Sequence, residues 1–284
     1  MGAQDKITVY EAQKRGRSIP KQLGEIVENL PQAHELAQRL FKRGIKAQYR
    51  QSVLGIFWAL VPPLMTAALW IFLKSNKVAD FGHTNISYPV FVLTGTLLWQ
   101  VFQESFNAPL QSIKSNKSIL VKINIPREGL LLSGIYKLLF NLSIKLGMLA
   151  IIFVFFGQEL SLSILLFPLG IAAIILCGFS LGLLLIPLGM LYGDIQRLLS
   201  VGMPFMMYLT PVIYPTKNSG VVGIIMKVNP MATLLTVTRD WFTSQPVNGL
   251  TTFITLCVFF FFLLILGLAI FKISMPMIIE RIGS

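Results

Sequence analysis

The sequence predicts an all-α, polytopic membrane protein. It would have six transmembrane helices, an N-terminal amphipathic interface helix, and re-entrant helices before the last span. Three observations carry this. Of 284 residues, 54% are hydrophobic and only 13% charged, where a soluble domain has about 25% charged residues. The mean hydropathy is +0.70. Several apolar runs approach the ~20 residues a helix needs to cross a hydrocarbon core of about 30 Å. A greasy soluble enzyme fits none of the three.

The elements follow in chain order. Residues 1–50 read as a cytoplasmic segment. They lack the apolar core of a secretory signal and hold ten of the 24 Lys and Arg residues, a bias that keeps a segment on the cytoplasmic side. Within them Ala33, Leu36, Ala37, Leu40, Phe41 and Ile45 share one helical face, with Glu35, Arg39, Lys42, Arg43 and Lys46 on the other. That pattern predicts a helix lying on the cytoplasmic leaflet. The net charge of +12 does not point to nucleic acid, because the basic residues cluster beside apolar spans rather than alternating with aromatics on a polar face.

A transmembrane domain over 51–272 follows, with spans near 52–73, 88–108, 130–156, 162–190, 198–214 and 250–272. Charge orients them. The inner segments carry 10, 4, 1 and 2 basic residues and the outer ones 2, 0 and 3, so both termini are expected in the cytoplasm, the second as a tail over 273–284. Pro62 and Pro63 fall about a third of the way into the first span, where proline bends a helix. The bend reads either as part of a moving gate or as static packing. Residues 217–245 hold an apolar stretch too broken by Gly220, Gly223 and Pro230 to cross, which predicts helices that dip into the outer leaflet and return. A seventh, kinked span is the other reading.

Charges inside spans are costly unless paired or hydrated. Glu104 and Lys137 lie at similar estimated depths, so the sequence predicts that they pair or share a wet conduit; snorkelling of Lys137 toward the headgroups is the other reading. Lys137, Asn141 and Lys145 recur at i, i+4 and i+8 and form either a substrate path or a polar interhelical seam. Gly178, Gly182, Gly189 and Gly193 share a face that suits close helix packing. Phe57, Trp58, Trp70, Trp99, Phe102 and Phe106 make the first two spans aromatic. They serve either as interfacial anchors or as surfaces on which sugar rings stack. The inner loop, with Lys114, Lys117 and Lys122, reads either as a short cytoplasmic helix or as a solvated loop that follows the positive-inside bias.

Some chemistry is missing. The sequence has no Gly-Lys pair and so no phosphate-cradling P-loop. Two distant histidines and two cysteines inside apolar runs suit neither a catalytic triad nor a metal site. The chain is expected to be no enzyme, to hold no cofactor or metal, and to draw any energy from a partner.

The stretches YRQSVLGIFWALVPPLMTAALWIFLK, YPVFVLTGTLLWQVF, KSILVKINIPRE, YGDIQRLLSVGMPFMMYLTPVIYP and VNPMATLLTVTRDWF together resemble the permease subunit of type 2 ABC transporters. The closest likeness is to the branch that exports lipid-linked O-antigen, capsule and teichoic acid chains, and it covers roughly residues 35–272. The resemblance implies a homodimer in the bacterial inner membrane, bound to two copies of a separate ATPase that holds ATP and Mg. It implies an interface helix near 31–50 with Arg39, Lys42 and Arg43 toward the ATPase. A coupling helix near 112–122 would carry Lys114, Lys117 and Lys122. Re-entrant helices near 221–242 would carry Asn229, Pro230 and Arg239, and an aromatic-lined channel would run between subunits. One departure is visible: an Arg-Asp pair frequent in the family is replaced by Gly193–Asp194, then Arg197. Export of another lipid or a drug, and a motor-free channel or scramblase, are the competing readings.

Overall fold

The computed structural model describes residues 30–50, 52, 54–78, 84–122, 125–157, 161–216 and 220–283. Among them every regular element is helical: α1 (Leu30–Tyr49), α2 (Val61–Ser75), α3 (Tyr88–Lys114), α4 (Lys117–Lys122), α5 (Glu128–Phe155), α6 (Phe167–Leu184), α7 (Ile186–Leu191), α8 (Gly193–Tyr208), α9 (Gly220–Val228), α10 (Pro230–Phe242) and α11 (Leu250–Gly283). Short 3-10 turns, Gly55–Ala59 and Leu162–Leu166, precede α2 and α6.

Among the described residues three stretches are long and apolar enough to cross a membrane: Glu128–Phe155, Leu162–Leu184 and Leu250–Arg281. The other expected spans differ for physical reasons. At 27 residues α3 is long enough, but it carries Gln100, Gln103, Glu104, Asn107 and Gln111. Its neighbours are α2, α5 and α6, and Gln103, Glu104, Asn107 and Gln111 face a cavity rather than the apolar core, with Asn107 and Gln111 exposed. α2 and α8 have only 15 and 16 residues. The fourth expected span breaks at Leu185, before Pro187, into α6 and α7. α11 continues through the residues expected as a tail, for 34 residues in all.

Glycine sets the tightest packing. A Cβ on Gly178 would fall 2.8 Å from Phe102 O, one on Gly182 2.1 Å from Phe106 O, and one on Gly189 2.5 Å from Leu110. Thus α6 lies directly on the α3 backbone and α7 lies against the Leu110 side chain, as a small-residue stripe permits. Gly193, the fourth of that stripe, has nothing within 4 Å. The main core joins α3 (Leu97, Leu98, Trp99), α6 (Ile171, Ile174, Cys177) and α10 (Leu234, Leu235, Val237). A smaller one joins Ile113, Leu130, Leu183 and Phe271 at the opposite end of α3.

The apolar stripe of α1 forms as expected, with Ala33 and Ala37 fully buried. Its cover is different. Gly129 sits against Ala33 and Leu36, Phe41 meets Tyr136 and Phe140 edge-on, and His34 bonds to Tyr136 Oη. The stripe is therefore closed by α5, a protein surface, rather than by a lipid leaflet.

Pro62 and Pro63 do not bend a continuous helix. They occupy the first turn of α2, where the missing N–H groups would have had no intrahelical partner. The turn before α2 starts at Gly55, whose φ of +50 suits glycine, and Ser52 Oγ accepts a bond from Gly55 N at 2.9 Å.

Candidate functional site

α1, α3 and α5 line an open cavity of about 880 Å³. Its wall includes Gln103, Glu104, Asn107 and Gln111 from α3, Lys137 and Asn141 from α5, and Arg43 and Gln48 from α1. The sequence reading passed over the α3 amides in favour of the aromatics on the same helix. Their signal was present: Gln100, Gln103, Asn107 and Gln111 recur at i, i+3, i+7 and i+11, one polar stripe on an otherwise apolar helix.

Glu104 pairs with Lys145, not with Lys137. Lys145 Nζ donates to Glu104 Oε1 at 2.7 Å, and Lys145 is 1% exposed. The reason is helix polarity. A Cβ on Gly134 would lie 3.0 Å from Ser112 Cβ and 3.1 Å from Ala108 O, so residue 134 is level with about residue 110. Antiparallel stepping at 1.5 Å per residue then puts Lys145 roughly 7 Å to one side of Glu104 and Lys137 roughly 5 Å to the other. Side chains lean toward their helix N-terminus. Glu104 leans along α3 toward Lys145, Lys145 leans back along α5 toward Glu104, and Lys137 leans away. Matching Cα depths alone missed this.

The stripe of Lys137, Asn141 and Lys145 thus divides. Lys145 is a seam between α3 and α5, while Lys137 and Asn141 face the cavity. Glu104 Oε2 and Asn141 Oδ1 are buried with no hydrogen-bond partner among the described residues, so the cavity offers acceptors beside the Lys137 cation. At the α1 end, burial first and the Glu104 carboxylate second push the Tyr49 phenol up from its ordinary pKa.

The aromatics separate by position. Trp99, Phe102 and Phe106, expected on a channel wall, are 2%, 7% and 8% exposed and belong to the internal core on the α6 side of α3. Phe57 and Trp58 are exposed in the turn before α2. Trp70 packs edge-on against Tyr208 of α8, centroids 6.0 Å apart.

The basic residues of the α4 region take varied partners. Lys114 Nζ donates to Gln196 Oε1 at 2.8 Å, Arg43 bridges α1 to Asn116 Oδ1 at 3.0 Å, and Arg39 pairs with Glu35 on the surface. Lys42 and Lys117 are exposed, and the Lys122 side chain lies outside the described residues. Asp194 has Arg197 at 3.3 Å, both fully at the surface. A Lys272–Glu128 pair at 3.9 Å joins α11 to the start of α5; no sequence spacing announced it.

At the other end, Asn229 caps α10. Its Oδ1 accepts from Met231 N at 3.0 Å, while its Nδ2 donates to Thr210 Oγ1 at 2.9 Å. Pro230 takes the first helical position, which proline favours. Arg239 is 3% exposed. Its Nη2 donates to the carbonyls of Pro211 at 2.8 Å and Val212 at 3.2 Å, and its guanidinium lies 3.8 Å over the Phe91 ring. Gly95 leaves it room, since a Cβ there would be 2.4 Å from Nη2. These residues clamp α10 to α3 and to the chain after α8.

Apolar helices long enough to cross a membrane, one of them lining a polar cavity beside an internal ion pair, define a multi-pass helical membrane protein. The chain belongs to the ABC-2 type transporter family, whose model matches residues 35–241, and it is thus the membrane part of a transport system. It is 30% identical over 256 residues to an O-antigen export system permease protein RfbA of Klebsiella pneumoniae, which covers 86% of this chain and 93% of that protein. A second RfbA of Klebsiella pneumoniae is 27% identical over 253 residues with the same coverage. The RfbA of Myxococcus xanthus is 25% identical over 215 residues, 74% of this chain and 81% of that protein.

Proposed function

We propose that this chain is the permease subunit of an ATP-driven exporter that moves a lipid-linked, O-antigen-like polysaccharide across the bacterial inner membrane. The observation that carries the reading is similarity running nearly end to end with permeases named for O-antigen export. The polar stripe of α3 and the cavity beside it supply the hydrogen-bonding surface that a hydroxyl-rich cargo needs. In this reading α2, α3, α5, α6 with α7, α8 and α11 are the six spans, and both termini are cytoplasmic. α9 and α10 are the re-entrant pair; α10 has 13 residues, about 20 Å, too short to cross.

Two copies form the exporter and two ATPase subunits drive it, with ATP and Mg held by the ATPase. The exposed apolar faces of α2 (Leu64, Met65, Leu69, Phe72) and α8 (Leu198, Val201, Phe205) support a second copy or lipid beside them. Lys42, Lys117 and the α1–Asn116 bridge form a basic cytoplasmic face toward the ATPase. The test is co-purification with the ATPase encoded beside this gene. A two-plus-two complex is expected, with assembly or hydrolysis impaired by Lys114→Glu and Lys117→Glu together. A stable chain that captures no ATPase would sink the reading.

A further inference from the structure

The Arg239 clamp walls a second, smaller cavity of about 220 Å³ at the end of the molecule opposite α4. We propose that it is a subsite for one neutral sugar ring of the exported chain on the outer face; this rests on the exporter reading above.

Four observations carry it. First, two buried polar atoms in its wall, Arg239 Nε and Thr236 Oγ1, have no hydrogen-bond partner among the described residues. A buried donor left unmade is costly, and its place in a cavity wall gives a bound hydroxyl or water a partner to complete. Second, the wall carries one guanidinium and one carboxylate, Arg239 and Asp240, with the amides of Asn85, Gln245 and Asn248. The two charges offset each other, so the pocket selects neither an anion nor a cation. It offers donors and acceptors side by side, which is what a hydroxyl requires. Third, the volume lies below the ~300–1,000 Å³ of sites for drug-sized ligands, and so admits a single ring rather than a lipid. Fourth, Arg239 is fixed through Nη2 to two carbonyls, so the Nε donor is preorganised.

Such a subsite would hold a ring of the emerging chain and oppose its return. The test uses the full chain with its partner ATPase in lipid nanodiscs, avoiding sugar-based detergents. Saturation-transfer NMR is recorded with glucose, galactose, mannose and N-acetylglucosamine as separate probes. At least one should bind wild type, and the Asp240→Asn/Asn248→Ala double variant should bind it about tenfold more weakly. Asn248 lies outside the Arg239 clamp and Asp240 meets it through charge, so retained complex assembly checks the fold of the variant. Water only, seen as no hexose signal or equal signals in both proteins, overturns the subsite. The exporter reading is judged separately: a deletion strain carrying the wild-type gene that displays no surface glycan overturns that reading itself.

Discussion

Lys145 is the residue whose environment is most constrained, since a buried cation in an apolar bundle is tolerated only with its partner in place. Lys145→Met should therefore destabilise the protein by on the order of 2 kcal/mol, less than the ~3–5 of a fully buried pair, because Glu104 is 35% exposed and opens on the cavity. Glu104→Gln/Lys145→Met should recover most of the loss, and Lys137→Met should cost little. Thermal unfolding of the three variants in nanodiscs would show the order; a larger effect at Lys137 than at Lys145 would refute the pairing. Arg239 makes a second residue-scale prediction. Lysine cannot reproduce a planar fork that reaches two carbonyls while lying over Phe91. Arg239→Lys should thus lose nearly as much stability as Arg239→Met, about 2–3 kcal/mol, measured in the same way.

Between elements, the closest approaches are at glycine. Gly182→Ala would drive a methyl into Phe106 O, a backbone atom that cannot step aside, and should cost at least the ~1–3 kcal/mol of overpacking. Gly193→Ala meets nothing and should stay within about 0.5 kcal/mol of wild type. Expression and unfolding temperature of the pair separate the two. The same stripe shows how far the sequence could be read. Its spacing disclosed a packing face, and its partner, α3, is a matter of tertiary contact that spacing does not encode. The stripe of α1 was legible for the same reason and its cover by α5 was not. Pro62 and Pro63 were visible as helix punctuation, but whether proline bends a helix or begins one depends on where the helix starts, here decided by the turn at Gly55. The α3 amides were legible by period and were overlooked beside more conspicuous aromatics. The Glu104–Lys145 partnership needed the direction of each helix as well as the depth of each charge.

For the whole molecule, the proposed exporter would turn its basic α1–α4 end toward the ATPase and its clamped α10 toward the outer side, with the polar-lined cavity between. Charge reversal at Lys114 and Lys117 should reduce coupled ATP hydrolysis without unfolding the permease, since Lys117 is exposed and Lys114 is half-buried with its ammonium on Gln196. The competing channel or scramblase makes the opposite statement about energy. The measurement that separates them is transport itself. The chain and its partner ATPase would be reconstituted in proteoliposomes with a lipid-linked glycan on the ATPase side, and a lectin would report glycan reaching the other side. The account predicts that lectin binding rises only when both ATPase and ATP are present. A rise of equal rate without either would contradict it.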